Sequence, residues 1–270
     1  MVASNLVVTH APSGLVHATV QRAEQLSPRI RRVTLGGGDL HRFVPLGFDQ
    51  WVRLAIPVRE GTEFDRLAPR FDMKGYLRYL TLPRSTRPVI RNYTIRQVRP
   101  DPTELDIDFV VHGDAGIAGP WAAAAGPGEQ VAFIDQGCGW RPEGCPVPPD
   151  WTLIVADESG LPAAAGVLRD LPRDTAGHAI IELIDPADRQ DIDAPDGVSV
   201  HWLTLAPGGE PGSAALPALR ALEPLPGTPY AFAVGEQALA VGARRYLVNE
   251  RGVPKGNITF SGYWRRGKAH

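Results

Sequence analysis

Two short stretches combine side chains and backbone in ways that chemistry can use. Arg91-Asn92-Tyr93-Thr94-Ile95-Arg96 alternates as a strand does. Successive strand side chains point to opposite faces, so Arg91, Tyr93 and Ile95 share one face. A guanidinium beside a phenol ring suits a ligand that carries both phosphate and a flat ring. Further on, Gly113-Asp114-Ala115-Gly116-Ile117-Ala118-Gly119-Pro120 runs into Trp121-Ala122-Ala123-Ala124-Ala125. Pro is tolerated at a helix start and Ala is the strongest helix former. A small-residue loop feeding a helix start offers backbone N–H groups and the positive dipole end, which together suit an anion.

The surrounding pattern must position these stretches. Alternation predicts strands over 16–23, 30–35 and 50–56, with Gly36-Gly37-Gly38-Asp39 as a turn cluster and Pro57 as a stop. Residues 1–14 read as a loose start, and the charged stretch 58–88 as an excursion. Strands over 89–97, 105–112 and 130–134 complete a small antiparallel β-barrel. A Gly- and Pro-rich linker follows over 137–149. From Trp151 the period changes. Apolar runs predict strands over 152–156, 179–184, 198–203, 230–234 and 258–264, with helices over 161–171, 213–222 and 237–250. Strands alternating with helices imply a parallel α/β sheet. Ligands of such sheets lie beyond the carboxyl ends of the strands. That puts Asp157-Glu158-Ser159, Gly235-Glu236 and Gly262-Tyr263-Trp264 on one edge. The expected domains are 1–148 and 149–270.

Composition narrows the function classes. The chain has 270 residues, 43% of them hydrophobic, and a net charge of −2. That is enough to bury one or two cores and excludes a globally basic nucleic-acid binder. No basic helix or basic–aromatic repeat is evident. Charge is segregated: residues 59–99 carry ten Lys/Arg against four acids, 251–270 five against none, and 170–200 two Arg against eight acids. Such segregation can form a basic basin for an anionic ligand, or separate solvated faces. Cys138 and Cys145 are too few for a zinc site or a disulfide framework and read as cytosolic thiols. No signal peptide and no run of 18 apolar residues is seen, so a soluble, cytoplasmic protein without a membrane span is expected.

Taken in order and spacing, the stretch 91–129 resembles the flavin-binding segment of the siderophore-interacting protein family, NAD(P)H-dependent ferric-siderophore reductases of the ferredoxin-reductase-like superfamily. The second half is similar as well. Ala156-Asp157-Glu158-Ser159-Gly160-Leu161-Pro162-Ala163 looks like the opening of the family's nucleotide domain. Val234-Gly235-Glu236, Arg244-Arg245-Tyr246-Leu247 and Phe260-Ser261-Gly262-Tyr263-Trp264-Arg265-Arg266-Gly267 look like its C-terminal signature. There are departures. Gly160 stands where Ala is frequent, Phe232 and Val234 where Trp and Ala are, and Gly242 where a basic residue is. No G-x-G-x-x-G follows Trp151.

The resemblance implies an FAD-binding barrel followed by a domain for NADPH or NADH. It assigns Arg91 to the FAD diphosphate, Tyr93 to the isoalloxazine face and Thr94 to the flavin N5 region. His112 would contact the flavin or its ribityl chain. Ala118, Gly119 and Trp121 would present the helix start and cover part of the cofactor. Asp108 and Phe109 would hold the adenine side by backbone contacts. Asp157, Ser159, Gly235 and Glu236 would form the nicotinamide edge, although Glu236 could equally cap its own helix. Tyr263 and Trp264 would pack over the flavin or finish the core. Arg265, Arg266 and Lys268, with Arg53 and Arg141, would attract an anionic ferric chelate, or the tail would only solubilise. The implied reaction passes a hydride from NAD(P)H to FAD, then single electrons to Fe(III) in its siderophore. Two alternatives stay open: a flavin reductase that exchanges electrons with a protein carrier such as ferredoxin, and a non-catalytic siderophore binder.

Overall fold

The computed structural model describes residues 3–9, 12–58, 61–111 and 116–267. His112 and Lys268 lie outside the described residues. The chain divides into two compact units: residues 8–138, and residues up to Val7 together with those from Gly139 onward.

Among the described residues the first unit contains seven strands: β1 (Leu15–Gln25), β2 (Ile30–Gly36), β3 (Trp51–Ile56), β4 (Val89–Thr94), β5 (Gln97–Pro100), β6 (Thr103–Val110) and β7 (Gln130–Gly137). Helix α1 (Met73–Leu80) lies between β3 and β4, and α2 (Ala118–Ala124) between β6 and β7. The strands form one antiparallel sheet in the order β4-β3-β7-β1-β2-β6-β5. Strands β4 and β5 thus stand on opposite edges, yet Ile95 and Arg96 alone separate them in sequence. The sheet must curl until its edges meet. Across that closure Ile95 N–H donates to the Gln50 carbonyl at 2.8 Å and Arg96 N–H to the Asp106 carbonyl at 2.8 Å. The expected barrel is what forms.

Strand β6 shows why the sequence folds this way. Leu105, Ile107 and Phe109 enter the core, while Glu104, Asp106 and Asp108 take the other face. There Arg22 pairs with Glu104 at 2.8 Å, Arg99 with Asp106 at 2.5 Å, and Arg32 with Asp108 at 2.7 Å. Strand β3 alternates likewise. Val52, Leu54 and Ile56 belong to the barrel core, and Ala55 to a separate outer cluster with Phe64, Leu67, Leu82 and Ala132. The 58–88 excursion is therefore a cover for the barrel's outer face, and it contains a helix that alternation did not reveal. Asp72 caps α1, its carboxylate accepting from Gly75 N–H at 2.8 Å. Gly75 is required there, because a Cβ would strike the Arg70 carbonyl.

The second unit has strands β8 (Trp151–Asp157), β9 (Gly177–Leu183), β10 (Val198–Thr204), β11 (Pro229–Glu236) and β12 (Ile258–Trp264). Its helices are α3 (Leu161–Asp170), α4 (Ala215–Ala221) and α5 (Gln237–Asn249). All five strands run parallel in the order β10-β9-β8-β11-β12. The central pair, β8 and β11, is buried along its whole length, as its apolar runs require. From β8 the chain passes through α3 to one side of the sheet; from β11 it passes through α5 to the other. Their carboxyl ends mark the topological switch point.

Two boundaries differ from the sequence expectation. Residues 3–5, expected as loose chain, run antiparallel along β12. Gly262 N–H donates to the Ala3 carbonyl at 2.9 Å and Asn5 N–H to the Phe260 carbonyl at 3.1 Å. The Asn5 side chain adds bonds to Ile258 and Phe260, each at 2.8 Å. The linker also belongs to the second unit. The Trp140 ring packs edge-on against Tyr230 at 4.6 Å, and Asn257 Nδ2 donates to the Val147 carbonyl at 2.8 Å. The residues from Gly139 thus pack with the second unit.

Candidate functional site

In the first unit the site grows from edge strand β4. Arg91 lies opposite Leu54 of β3, and Tyr93 opposite Val52. Both therefore share the face of those two core residues. Among the described residues, the other edge of β4 pairs with no strand, which leaves backbone groups for a ligand. The Tyr93 ring lies 4.3 Å from that of Phe109, and burial pushes its phenol well above the ordinary range while Arg91 pulls the other way. Thr94, the last residue of β4, is buried. The Arg91 guanidinium donates to the Ile90 carbonyl at 2.9 Å and, among the described residues, makes no ion pair. Arg22, Arg32 and Arg99, on the barrel's other face, each sit on a carboxylate. Arg91 presents a charge that no acid among the described residues pairs with.

Phe109 is buried between Tyr93 and Trp121, whose ring centroid is 5.5 Å away. Trp121 is itself buried and donates its indole N–H to Glu129 at 2.8 Å. Its ring is part of the barrel core. The first N–H groups of α2, at Ala118 and Gly119, have no intrahelical carbonyl. The Asp108 carboxylate is held by Arg32 at 2.7 and 2.9 Å, so its backbone is what it can offer. Strand β5 covers β6 only from Thr103 to Asp106, and beyond Asp106 that edge of β6 carries no strand among the described residues.

The sequence reading missed a buried polar pair at the end of β4. Gln50 Nε2 donates to Asp135 Oδ2 at 3.0 Å, and Gly137 N–H to Asp135 Oδ1 at 3.1 Å. Burial pushes the Asp135 carboxyl up. The signal was present as a polar residue just before β3 and another inside β7.

In the second unit, Asp157, Ser159, Gly235, Glu236 and Trp264 do meet at the carboxyl ends of the strands. Asp157 organises them. Its Oδ1 accepts from Ser159 N–H at 2.9 Å, Ser159 Oγ at 2.6 Å and Gly160 N–H at 3.1 Å. Its Oδ2 accepts from Glu236 N–H at 2.6 Å and the Trp264 indole at 3.0 Å. Burial nonetheless raises its pKa. With its carboxylate taken by the protein's own donors, Asp157 ties β8, β11 and β12 together. Gly235 is required beside it, at φ +127°, because a Cβ would lie 2.6 Å from that carboxyl. Glu236 caps α5 by accepting from Ala238 N–H, and also takes Arg266 N–H at 3.1 Å. Tyr263 is half-buried on β12.

The arginines expected to attract substrate are partly committed elsewhere. Arg53 donates to the Phe71 carbonyl at 2.7 Å and stacks on that ring at 4.7 Å, under the outer cover, where burial lowers its pKa. Arg266 pairs with Glu210 at 2.8 Å. Arg141 donates its backbone N–H to the Tyr230 hydroxyl oxygen at 3.0 Å, and the residue is half-buried. Arg265 is exposed.

Comparison with known proteins follows these two sites. Residues 19–139 match the model of the siderophore-interacting FAD-binding domain, and residues 149–267 that of the siderophore-interacting protein. The ferric vibriobactin reductase ViuB of Vibrio cholerae is 32% identical over 264 residues, covering 92% of this chain and 88% of that one. The crystal structure of a siderophore utilization protein from T. fusca superposes with a TM-score of 0.76 at 33% identity, covering 97% of each chain. The ferredoxin reductase of a carbazole 1,9a-dioxygenase has a TM-score of 0.64 at 17% identity, covering 93% of this chain and 69% of that one, and shares the fold alone.

Proposed function

The chain belongs to the siderophore-interacting protein family, and we propose that it is a flavin-dependent ferric-siderophore reductase that uses NADPH or NADH. FAD, when bound, supplies the chemistry of accepting a hydride from reduced nicotinamide and handing on electrons one at a time to the Fe(III) substrate. The protein's part is to bind and orient.

The observation that carries the reading is Arg91: a cation without an acid partner among the described residues, beside Tyr93 on a strand with an unpaired edge. Its planar fork matches two phosphate oxygens. The residues present fit FAD. Arg91 and the N–H groups of Ala118 and Gly119 would hold the diphosphate, Tyr93 would offer its ring, and Thr94 would offer its backbone and hydroxyl to the flavin. The backbone at Asp108 and Phe109 serves the adenine side. In the second unit Asp157 is a positioning residue: it fixes Ser159, Glu236 and Trp264 at the switch point, where the nicotinamide nucleotide is received.

An anaerobic visible-absorption titration tests this. The flavin-loaded protein receives NADPH or NADH, then a ferric siderophore. Bleaching by one donor, then recovery of colour as Fe(II) forms, is expected. A protein that cannot be loaded with FAD overturns the reading. A loaded protein that ignores both nicotinamides but accepts electrons from a reduced ferredoxin replaces the donor.

A further inference from the structure

Helix α1 faces the wrong way for a helix that merely covers a barrel. At about 100° per residue, Met73, Tyr76, Leu77 and Leu80 fall in one stripe roughly 100° wide. All four are exposed, from 42% at Leu80 to 72% at Met73. The opposite side holds Gly75, pressed on the Arg70 carbonyl, and Tyr79, which packs on the outer cluster and donates to the Pro88 carbonyl at 3.0 Å. An amphipathic helix of a globular protein normally turns its apolar stripe inward. Here hydrocarbon meets solvent.

The charge around the stripe says what covers it. Lys74 lies beyond one edge of it on α1, with Arg78 farther round the same side, and Arg70 and Arg84 stand just before and after; all four are exposed. Between residues 70 and 84 the one acid is Asp72, which is used as the helix cap. A second copy of the same face would bring cation against cation. An apolar surface that also carries regularly spaced negative charge answers both features, and that is a bilayer containing anionic lipid.

We infer that α1 is an interfacial helix that rests on such a bilayer, with Met73, Tyr76, Leu77 and Leu80 among the acyl chains near the headgroups and Lys74 beside them on lipid phosphates. Among the described residues no helix is long and apolar enough to cross a membrane, and this contact needs none. Eight residues make a weak, reversible attachment. It lies on the barrel's outer face, over Ala55 and Ile90, whereas Arg91 and Tyr93 share the inner face with Leu54 and Val52.

Vesicle flotation tests the inference, with phosphatidylcholine alone against a mixture containing phosphatidylglycerol. The protein should float with the anionic vesicles, and salt should weaken this. Leu77→Asp should abolish it, Lys74→Gln should weaken it roughly five-fold, and Arg78→Gln, farther round the helix, should weaken it less. These side chains are exposed, so fold and flavin spectrum should stay unchanged. Failure of the unmodified protein to float, or flotation indifferent to Leu77→Asp, overturns the inference. So does self-association by analytical ultracentrifugation that Leu77→Asp abolishes while flotation is absent, which assigns the stripe to a second copy.

Discussion

Gly160 and Val234 are fitted to each other: a Cβ on Gly160 would lie 2.8 Å from Val234 Cγ2. Both residues depart from what the family resemblance led one to expect, where Ala is common at each position. The two departures are one exchange of volume across the β8–α3 turn and β11. The φ of −86° at Gly160 is open to any residue, so the constraint is space.

A double-mutant cycle reads this directly. Gly160→Ala should cost about 1–3 kcal/mol by overpacking. Val234→Ala should cost a similar amount by leaving a gap. The double variant should recover part of the loss, because the Val234 carbonyl, 3.1 Å from the added Cβ, remains. Denaturant unfolding of the four proteins measures the coupling; strictly additive losses would contradict the fit.

Arg91→Ala should weaken FAD binding roughly 10- to 100-fold while leaving the unfolding midpoint of the flavin-free protein unchanged, since Arg91 has no ion-pair partner among the described residues. Arg91→Lys should fall between, because an ammonium lacks the planar fork. Equilibrium dialysis with FAD gives the ratio. Full flavin content in Arg91→Ala would remove the assignment.

The barrel should be sensitive to acid through its outer face. Asp106 is buried, which raises its pKa, but its bonds to Arg99 and Thr34 outweigh that and hold it below the usual range. The side-chain bond to Arg22, and after it that to Arg99, hold Glu104 low. A carboxyl depressed in the folded state adds stability above its unfolded pKa of about 4, and that stability is lost as pH falls through the folded value. Arg99→Met should therefore lower stability at neutral pH and flatten the decline below pH 4. Unfolding midpoints measured between pH 7 and pH 2.5 show whether the slope changes.

Gly235→Ala should be among the most damaging single-methyl changes in the second unit, at about 2–4 kcal/mol. It combines a φ of +127° with a contact on the Asp157 carboxyl. Reduced nicotinamide should bind more weakly to the variant while FAD content is kept. Unchanged nicotinamide affinity would show that the Asp157 hub does not position that site.

What the sequence revealed depended on how local the signal was. Strand β6 announces both faces by alternation, and β8 and β11 announce double burial by unbroken apolar runs. Arg91 and Tyr93 share a face by a two-residue spacing, so that part of the site was legible. The edge that gathers Asp157, Glu236 and Trp264 was legible from the strand–helix alternation, but not that the Asp157 carboxylate takes donors on β11 and β12, which lie 79 and 107 residues away. Nothing near Trp121 says that its ring turns inward to Phe109 and Glu129. Helix α1 was hidden by the interior Gly75, and its periodic apolar residues do not feed a core. Residues 3–5 carry no strand propensity, because their pairing is made largely by backbone.

That last pairing has a consequence for how the molecule is made. Asn5 and its partner Ile258 are separated by 253 residues. During synthesis the segment around Asn5 leaves the ribosome long before β12 exists, and the whole barrel can fold in the interval. The second unit thus completes its sheet edge with a piece of chain held in waiting by another, already finished domain. Completion of that edge becomes a late event that registers arrival of the far end of the chain. A translation product stalled before β12 would carry a folded barrel and an unclaimed N-terminal segment, a state that a protease could recognise.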